Sequence, residues 1–547
     1  MKPESALPPE DSAEVYARNA AVMTVGTTLS RFTGFLRIAA QTAALGVTVS
    51  ALADTYNKAN TTPNIIYELA LGGILTSVFV PVFVGWMQTH GRDGSWEVAD
   101  RLLTLALVGL SVVALLGAIF APWIIRAYNV ASPASGTARA EQLALGTFFL
   151  RWFMPQIVFY GIGAIAGGLL NAHRRFAPPM FTPILNNLIV ITTFGIYAWM
   201  LRGKDPTVAG IDGPERYVLA LGTTLGVVVM TVALWPSLRR LGYRWHLRFD
   251  WNHPALRSLA KLSGWVVVYV LANQAAYFII IALNARVRGG FTAYAAAFIV
   301  VSLPYAIFVV SIFTALIPGM SGQWAQGRPE GVRELFSRGV RDTAVIILPA
   351  ALGLIALALP ISRLIFQHFN SGSADAELIA RVLAAFAVGL PVFSTFQLLT
   401  RTFYAMKDTR TPALVNVAAA VVNIGADLLF MLVLGWGVPG LALGWAVSYG
   451  FGTAVMLLLM RGRLHGLDGR RIVSTLGRSF PAALLAAAAA RAVTLPFADG
   501  SKGTLSELGI VILGVVVGVL AFGILALIFR IKEVDEVRDA LLRRFRS

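Results

Sequence analysis

Apolar stretches of 18 or more residues recur from one end of this 547-residue chain to the other. A stretch of that length is long enough to cross the hydrocarbon core of a bilayer as a helix. Only 13% of the residues are charged, whereas soluble proteins have about 25%. Inside a bilayer, helices satisfy their own backbone polar groups without water. The chain is therefore predicted to be an all-α polytopic membrane protein.

The apolar pattern predicts fourteen transmembrane helices. They cover residues 19–48, 54–86, 102–126, 141–171, 179–201, 217–237, 262–285, 291–322, 342–362, 378–405, 413–433, 441–460, 479–495 and 508–529. Residues 1–18 are polar and mixed in charge, which indicates a cytoplasmic tail rather than a signal peptide. The chain has no cysteine, so disulfides and thiolate chemistry are excluded.

Basic residues are distributed unequally between the two sides of the predicted membrane. If the N-terminus is cytoplasmic, the inside segments carry 29 of the 45 lysines and arginines and the outside segments carry 8. The positive-inside rule therefore favours cytoplasmic positions for both termini. The net charge of +17 is explained by these loops and by anionic lipids, so we expect no nucleic-acid partner.

The remaining basic residues lie within the predicted helices or at their edges. They are Arg31, Arg37, Lys58, Arg126, Arg151, Arg381, Arg401 and Arg491. The acids at comparable depth are Asp54, Glu68 and Asp427. A charge in the membrane is energetically unfavourable unless it faces a cavity or a partner, so these side chains are candidates for function.

Two halves of the chain resemble each other. The segments LLNAHRRFAPPMFTP and RTFYAMKDTRTPALV align with an offset of 233 residues. Pro81 and Pro318 give an offset of 237, and Pro63 and Pro304 give 241. Because each half has an even number of helices, this pattern predicts two parallel six-helix repeats followed by two C-terminal helices.

The repeat sets the predicted domain boundaries. Residues 19–240 form an N-lobe with helices 1–6, and residues 241–462 form a C-lobe with helices 7–12. Residues 463–530 hold helices 13 and 14, and residues 531–547 form a basic cytoplasmic tail. Transporters with such repeats bind substrate between the halves and alternate between inward-open and outward-open states.

The segment DTYNKANTTPN places polar side chains on one helical face. With about 100° per residue, Asp54, Lys58, Asn64 and Glu68 fall within about 120° of one another. Asp54 and Lys58 are four residues apart and are expected to pair. Pro63 is expected to kink the helix.

Arg31, Gly34 and Arg37 share a similar sector on the first predicted helix. Gly34 would let another group or a ligand approach the backbone closely. Two interpretations remain open for these two faces. They either form ion pairs that hold the bundle together, or they line a basic cavity that receives an anionic substrate, since arginine suits phosphate oxygens.

Secondary candidates lie on other helices. Arg151, Gln397 and Arg401 are polar positions within spans, for which interhelical hydrogen bonding is the alternative role. Asp427 is a candidate site for coupling to a proton or a monovalent cation. No histidine cluster, Walker loop or hydrolytic triad is present, so we expect no metal site, no other cofactor and no enzymatic activity.

Several motifs resemble those of the MurJ/MviN family of lipid II flippases, within the multidrug/oligosaccharidyl-lipid/polysaccharide exporter superfamily. They are SRFTGFLR, ADTYNKANTTPN, FVPVF, LLNAHRRFAPP and FYAMKDTRTP. Arg31, Arg37, Asp54 and Asn64 match motif positions of the family. The family commonly has an arginine soon after Pro-Asn, where this chain has Tyr67 and Glu68. A family arginine in helix 8 is also replaced, since AFIVVSLP is apolar.

The resemblance implies a divergent, actinobacterial-type member in the bacterial cytoplasmic membrane. Its substrate would be undecaprenyl-pyrophosphate-linked peptidoglycan precursor, moved from the cytoplasmic to the outer leaflet and used in cell-wall synthesis. Helices 13 and 14 would form a groove for the lipid tail, and cell-wall synthesis proteins would be partners. Alanines from Ala482 onward suit such a groove or close helix packing.

Two alternative functions stay open on the sequence. The first is export of another polyprenyl-linked saccharide or of drugs by the same superfamily. The second is a non-transporting scaffold in a cell-wall complex, which the replaced arginines favour. A drug exporter is expected to have an acidic cavity, whereas basic residues dominate the first two helices.

Overall fold

A computed structural model describes residues 13–68, 80–173, 175–202, 206–211, 213–250, 264–368, 370–497 and 503–534. Within these ranges the chain is helical and contains no strand. Twelve of the described helical segments are long and apolar enough to cross a membrane. Together with the first two helices they account for the fourteen predicted spans, which confirms the all-α polytopic fold.

The helices are numbered in chain order. The first eight are α1 (Ala13–Leu45), α2 (Leu52–Tyr67), α3 (Val80–Tyr128), α4 (Gly136–Phe153), α5 (Gln156–Ala172), α6 (Ala177–Met200), α7 (Pro214–Val232) and α8 (Trp235–Arg240). The next eight are α9 (Gly264–Asn284), α10 (Gly290–Pro304), α11 (Val310–Ala325), α12 (Pro329–Ala356), α13 (Ala358–Phe366), α14 (Ser373–Ala405), α15 (Arg410–Leu428) and α16 (Gly437–Arg463). The last two are α17 (Gly469–Thr494) and α18 (Thr504–Ile528).

The predicted loop at 87–101 is wrong, because α3 runs without interruption for 49 residues. At 1.5 Å per residue such a helix is about 73 Å long, more than twice the thickness of the hydrocarbon core. Residues 87–101 of this helix contain no proline, and an ion pair between Arg101 and Glu97 at 3.2 Å supports them. The polar residues at 87–101 therefore indicate where α3 leaves the membrane, and the helix continues through them. The part of the second predicted span at 69–79 lies outside the described residues.

Prolines interrupt two of the predicted spans. Pro155 separates α4 from α5, because proline cannot continue the helical hydrogen-bond ladder. Pro304 ends α10, and the next five residues form a single π-helical turn, Tyr305–Val309, before α11 begins. Such turns are common at functional sites in long helices.

Buried apolar side chains form two large clusters. One cluster draws almost entirely on α1–α8, and the other almost entirely on α9–α16. We refer to these helix sets as the first and second bundles. Val47 joins the cluster of the second bundle, while Ile281 and Phe291 join that of the first. These three residues show where the bundles pack against each other.

The two C-terminal helices pack against each other and against α12. The alanine-rich stretch of α17 is buried in this packing, with Ala482 and Ala483 fully buried. A side-chain carbon added at Gly518 of α18 would lie 3.4 Å from the Ala490 Cβ. The structure therefore uses these small residues for close helix packing, the second of the two roles considered for them.

The FYAMKDTRTP motif forms the turn between α14 and α15. The Thr411 backbone amide and hydroxyl donate to the Asp408 carboxylate at 3.0 and 2.6 Å, and Arg463 lies 2.6 Å from it. Partial burial opposes the charged form, but these hydrogen bonds and the Arg463 charge outweigh it and lower the pKa of Asp408. The motif therefore fixes a helix start and ties it to α16.

Candidate functional site

The polar face of α2 begins with a carboxylate that joins the two bundles. Asp54 is 3% exposed and accepts hydrogen bonds from the Thr292 backbone amide at 2.9 Å and hydroxyl at 2.8 Å. Thr292 belongs to the first turn of α10, in the second bundle. Two hydrogen bonds from one residue of the second bundle to this buried carboxylate link the two bundles.

Neighbouring amides extend this link. The Asn57 side chain donates to the Thr292 hydroxyl at 3.0 Å, and Gln41 of α1 donates to Asn57 at 2.6 Å. Lys58 does not form the predicted ion pair with Asp54. Its ammonium group is 1% exposed and donates instead to Asn129 at 3.0 Å. This bond ties α2 to the end of α3. The hydrogen bonds of the Asp54 carboxylate go instead to Thr292 of the second bundle.

A second carboxylate fastens the loop between α1 and α2. Asp375, in the first turn of α14, accepts the backbone amides of Val47 at 3.2 Å and Thr48 at 3.0 Å, together with the Thr48 hydroxyl. Ser371 adds a further hydrogen bond to Asp375 at 3.0 Å. We call the contacts of Asp54 and Asp375 with the opposite bundle the seal.

Glycines allow the backbones at the seal to approach closely. Gly289 has a φ of +73°, and a side-chain carbon there would lie 2.3 Å from the Val47 carbonyl oxygen. Gly46 has a φ of +69°, and a side-chain carbon there would lie 2.9 Å from the Asn370 carbonyl oxygen. Both positions need the left-handed region and the small volume that glycine offers.

A cavity of about 460 Å³ lies next to the seal, towards the C-terminal end of α2. The first bundle contributes Thr61, Asn64 and Glu68 to its wall. The second bundle contributes polar groups that include Asn273 of α9 and Asn423 of α15. Glu68 is the only charged side chain among the described lining residues. Aliphatic and aromatic side chains form most of the rest of the wall, so the cavity combines a few polar groups with a largely apolar lining.

Arg37 lies behind this wall rather than on it. It interacts electrostatically with Tyr56 and Tyr160, and Tyr160 is hydrogen-bonded to Asn64 on the cavity wall. Tyr160 also contacts Tyr67, with ring centroids 5.8 Å apart. The guanidinium group is thus separated from the cavity by one layer of tyrosine and amide groups.

Arg31 of the first bundle and Arg401 of the second bundle lie near the same tyrosine. Both arginines interact electrostatically with Tyr305 in the π-helical turn, and Arg401 is also hydrogen-bonded to Tyr305. Both arginines are exposed. Arg401 is one turn from the end of α14, so the pair lies beyond the cavity on the side away from the seal. Gln397, one turn earlier on α14, is half-buried.

Gly34 serves helix packing in this structure. A side-chain carbon there would lie 3.6 Å from the Asn187 amide nitrogen of α6. That nitrogen donates to the Ser30 carbonyl at 3.2 Å and to the Thr33 hydroxyl at 3.0 Å. The close approach predicted at Gly34 is therefore made by a neighbouring helix.

Asp427 is fully buried just behind the cavity wall. Its Oδ2 accepts a hydrogen bond from Asn423 at 3.0 Å, and its Oδ1 has no partner among the described residues. Gly444 of α16 faces this oxygen, because a side-chain carbon there would lie 2.0 Å from it. Arg151 lies elsewhere, on the outer surface of α4, where it donates to the Ala118 carbonyl at 3.3 Å.

Sequence reasoning missed Asp375 and Thr292. Asp375 falls in a segment predicted to be an outside loop, and Thr292 is a small polar residue at a helix start. The bond between Asp375 and Thr48 joins residues 327 positions apart, and nothing in either local pattern indicates the partner. The only sequence signal was the pair Gly289–Gly290 in RVRGG. Two adjacent glycines indicate a close approach of another backbone, but they do not indicate which segment approaches.

A multi-span helical protein with a cavity between two bundles, and carboxylate contacts joining the bundles beside it, defines the chain as a membrane transporter of the two-bundle class. The family model described as lipid II flippase MurJ matches residues 42–530. The chain therefore belongs to the MurJ family.

Individual relatives are similar over most of their length. The chain is 26% identical over 404 residues to a "Probable lipid II flippase MurJ" of Rhizobium meliloti (strain 1021), covering 74% of this chain and 73% of that protein. It is 27% identical over 450 residues to a "Lipid II flippase MurJ" of Burkholderia cenocepacia, covering 80% of this chain and 82% of that protein.

Solved structures share the fold. A lipid II flippase MurJ in an inward closed conformation matches with a TM-score of 0.72 at 18% identity, covering 92% of this chain and 99% of that chain. An inward-facing multidrug resistance transporter of the MATE family matches with a TM-score of 0.66 at 14% identity, covering 80% and 96%. These two likenesses concern the fold alone.

Proposed function

We propose that this chain moves lipid II, the undecaprenyl-pyrophosphate-linked peptidoglycan precursor, from the cytoplasmic to the outer leaflet by alternating access. Membership of the MurJ family supports the substrate. The observation that carries the mechanism is the seal, because it closes one end of the interbundle cavity with hydrogen bonds that can be exchanged. The chain acts as a transporter and not as an enzyme.

The proposed orientation places the seal at the outer face of the bacterial cytoplasmic membrane. The excess of basic residues in the predicted inside segments supports cytoplasmic termini. In this orientation α1 runs outward to the seal, and the Arg31 and Arg401 pair lies near the cytoplasmic mouth. The structure then corresponds to a state that is closed to the outside.

We infer a sequence of steps from this arrangement. The exposed guanidinium groups of Arg31 and Arg401 attract the pyrophosphate at the cytoplasmic mouth, where two forked cations suit its oxygens. The headgroup then moves towards Asn64, while Arg37 supplies positive charge through the Tyr160 layer. Breaking the Asp54 and Asp375 contacts lets the bundles rock apart on the outer side. The two bundles correspond to the proposed lobes 19–240 and 241–462, and helices in 463–530 guide the lipid tail.

Because two arginines common in the family are replaced in this chain, we propose that its cationic site lies at a different position. The cavity wall carries Glu68 where the family commonly has arginine, so positive charge lies on α1 and α14 instead. A pyrophosphate is expected to bind nearer the cytoplasmic mouth than the widest part of the cavity. Cell-wall synthesis proteins are the partners expected from this role.

Complementation tests the proposed function. The full chain is expected to restore growth to bacteria depleted of their own lipid II flippase and to restore labelled lipid II to the outer leaflet. A chain that is inserted in the membrane at normal levels but leaves lipid II inside would contradict flipping and favour the scaffold alternative. Accumulation of a different polyprenyl-linked saccharide outside would favour another exported substrate.

We further propose that Asp427 couples transport to a proton or a monovalent cation. Its unpaired Oδ1 beside Asn423 supports this role, because a buried carboxylate oxygen without a donor is unfavourable unless a cation or proton satisfies it. Asp427→Asn is expected to reduce transport at least about tenfold and to remove its dependence on the cation or pH gradient. The measurement is outer-leaflet lipid II as each gradient is collapsed in turn. Glu377→Gln, at an exposed acid of α14, is the control, and retention of the gradient dependence by Asp427→Asn would contradict coupling.

A further inference from the structure

An arginine-lined pocket lies on the outer surface of the first bundle, between α3 and α4. It has a volume of about 670 Å³ and is lined by Arg126 of α3 and by Arg151, Phe148 and Trp152 of α4. None of these residues lines the cavity between the bundles. The transport steps proposed above use none of them, so this pocket needs a separate explanation.

The arginines at this pocket lack acidic partners. Arg126 and Arg151 are exposed, and neither forms an ion pair with a carboxylate in the described part of the chain. The hydrogen bond recorded for Arg151 goes to the Ala118 carbonyl, a neutral group. Two guanidinium groups on one apolar groove repel each other and call for an anion.

A third arginine adds positive charge from behind the wall. Arg216, in the first turn of α7, stacks over the Phe148 ring at 4.8 Å and the Tyr217 ring at 5.3 Å. Its buried Nε has no hydrogen-bond partner among the described residues. Phe148 is thus held between this cation and the pocket, which adds to the positive potential at the site.

The surroundings place the pocket at a membrane interface. Trp123 and Phe120, adjoining the pocket on α3, are 57% and 50% exposed. Exposed tryptophans mark the level of lipid headgroups. On α4 the lining runs from Ala140 to Trp152, so the pocket extends about 18 Å along that helix.

We propose that this pocket binds the phosphodiester of an anionic membrane phospholipid. Two guanidinium groups suit a phosphate, and the apolar walls suit the start of its acyl chains. Thr147 supplies the only hydroxyl on the described lining, so the pocket offers too few polar contacts for a saccharide or peptide headgroup. On the proposed topology the lipid belongs to the outer leaflet, and it steadies the α3–α4 pair while the bundles move.

Photolabelling of the full chain in nanodiscs tests this site. The probe is a photoreactive phosphatidylglycerol, and labelled positions are mapped by peptide mass spectrometry. Label is expected on α3 and α4 beside the pocket, and excess phosphatidylglycerol is expected to displace it while phosphatidylethanolamine does not. Arg126→Gln and Arg151→Gln are each expected to reduce this label about tenfold, equivalent to about 1.4 kcal/mol.

Arg139→Gln provides the matched control, because Arg139 is a half-buried arginine on α4 that does not line the pocket. It is expected to leave the label unchanged, and label on the cytoplasmic basic segments serves as the internal reference for folding. Equal labelling of all three variants would overturn the proposal. So would displacement by inorganic phosphate or by a polyprenyl pyrophosphate in preference to phosphatidylglycerol. The labelling does not depend on flipping, so its outcome is separate from that of the complementation test.

Discussion

Arg31→Ala and Arg37→Ala are each expected to abolish rescue of cells depleted of their own lipid II flippase. Arg31 shares the proposed cytoplasmic mouth with Arg401, and Arg37 interacts with Tyr160, which is hydrogen-bonded to Asn64 on the cavity wall. A pyrophosphate that leaves water must exchange its hydration for fixed cations, and a charge-assisted bond contributes about 1.5–3 kcal/mol. Loss of Arg31 removes such bonds at the mouth, and loss of Arg37 removes the positive charge behind the Tyr160 layer. Growth after depletion is the measurement, with protein levels followed by immunoblot.

The two arginines differ in a way that lysine substitution reveals. Arg31 is exposed and is expected to contact the substrate directly, so Arg31→Lys should lose the forked geometry and transport poorly. Arg37 acts through a tyrosine layer, so Arg37→Lys should retain much of the activity. Arg139→Ala on the surface of α4 is the control and should grow normally. Normal growth of both alanine variants at normal protein levels would show that the cationic pathway is incorrect.

Asp375→Ala is expected to open the outer side of the protein. The carboxylate holds the α1–α2 loop through the amides of Val47 and Thr48 and the Thr48 hydroxyl. At about 1.5 kcal/mol or more for each bond to a charged group, their loss removes at least about 3 kcal/mol. A change of that size lowers the ratio of closed to open molecules by on the order of a hundredfold.

Spin labels report this opening directly, because the chain has no native cysteine. Val49 and Ala374 are exposed on opposite sides of the seal, so labels at Val49→Cys and Ala374→Cys span it. Pulsed electron spin resonance should show a short distance for the parent and a longer, dominant distance for Asp375→Ala. Glu377→Ala, an exposed acid in the same turn of α14, should keep the short distance. An unchanged distance in Asp375→Ala would mean that other contacts hold the seal.

The polar residues of α2 show what a helical wheel can and cannot predict. The helical wheel grouped Asp54, Lys58, Asn64 and Glu68 on one face. In the structure these residues lie in three different environments. Asp54 meets α10, Lys58 meets Asn129, and the last two reach the cavity. A wheel gives only an angle around the helix axis. It carries no information on which neighbour lies beside each level, and the partners of Lys58 and Asp54 are 71 and 238 residues away.

The α3 helix shows the same limit in another form. Hydropathy located its apolar part, but the polar residues before it continue the helix because ion pairs and hydrogen bonds replace apolar packing there. Asp100 in that part accepts the Tyr243 hydroxyl at 2.7 Å and is 3% exposed. Where water is present, polar composition does not distinguish a loop from a helix.

The sequence by itself determined the class of fold, the number of spans and the family. These depend on apolar length, on motif residues and on their order along the chain, all of which are local. Only the tertiary structure decided which groups share a site: Asp375 with the α1–α2 loop, Arg31 and Arg401 near Tyr305, and Arg126 and Arg151 on one outer pocket. Each of these pairings joins different helices. Their packing angles and levels arise from the complementarity of whole surfaces, which no single stretch of sequence specifies.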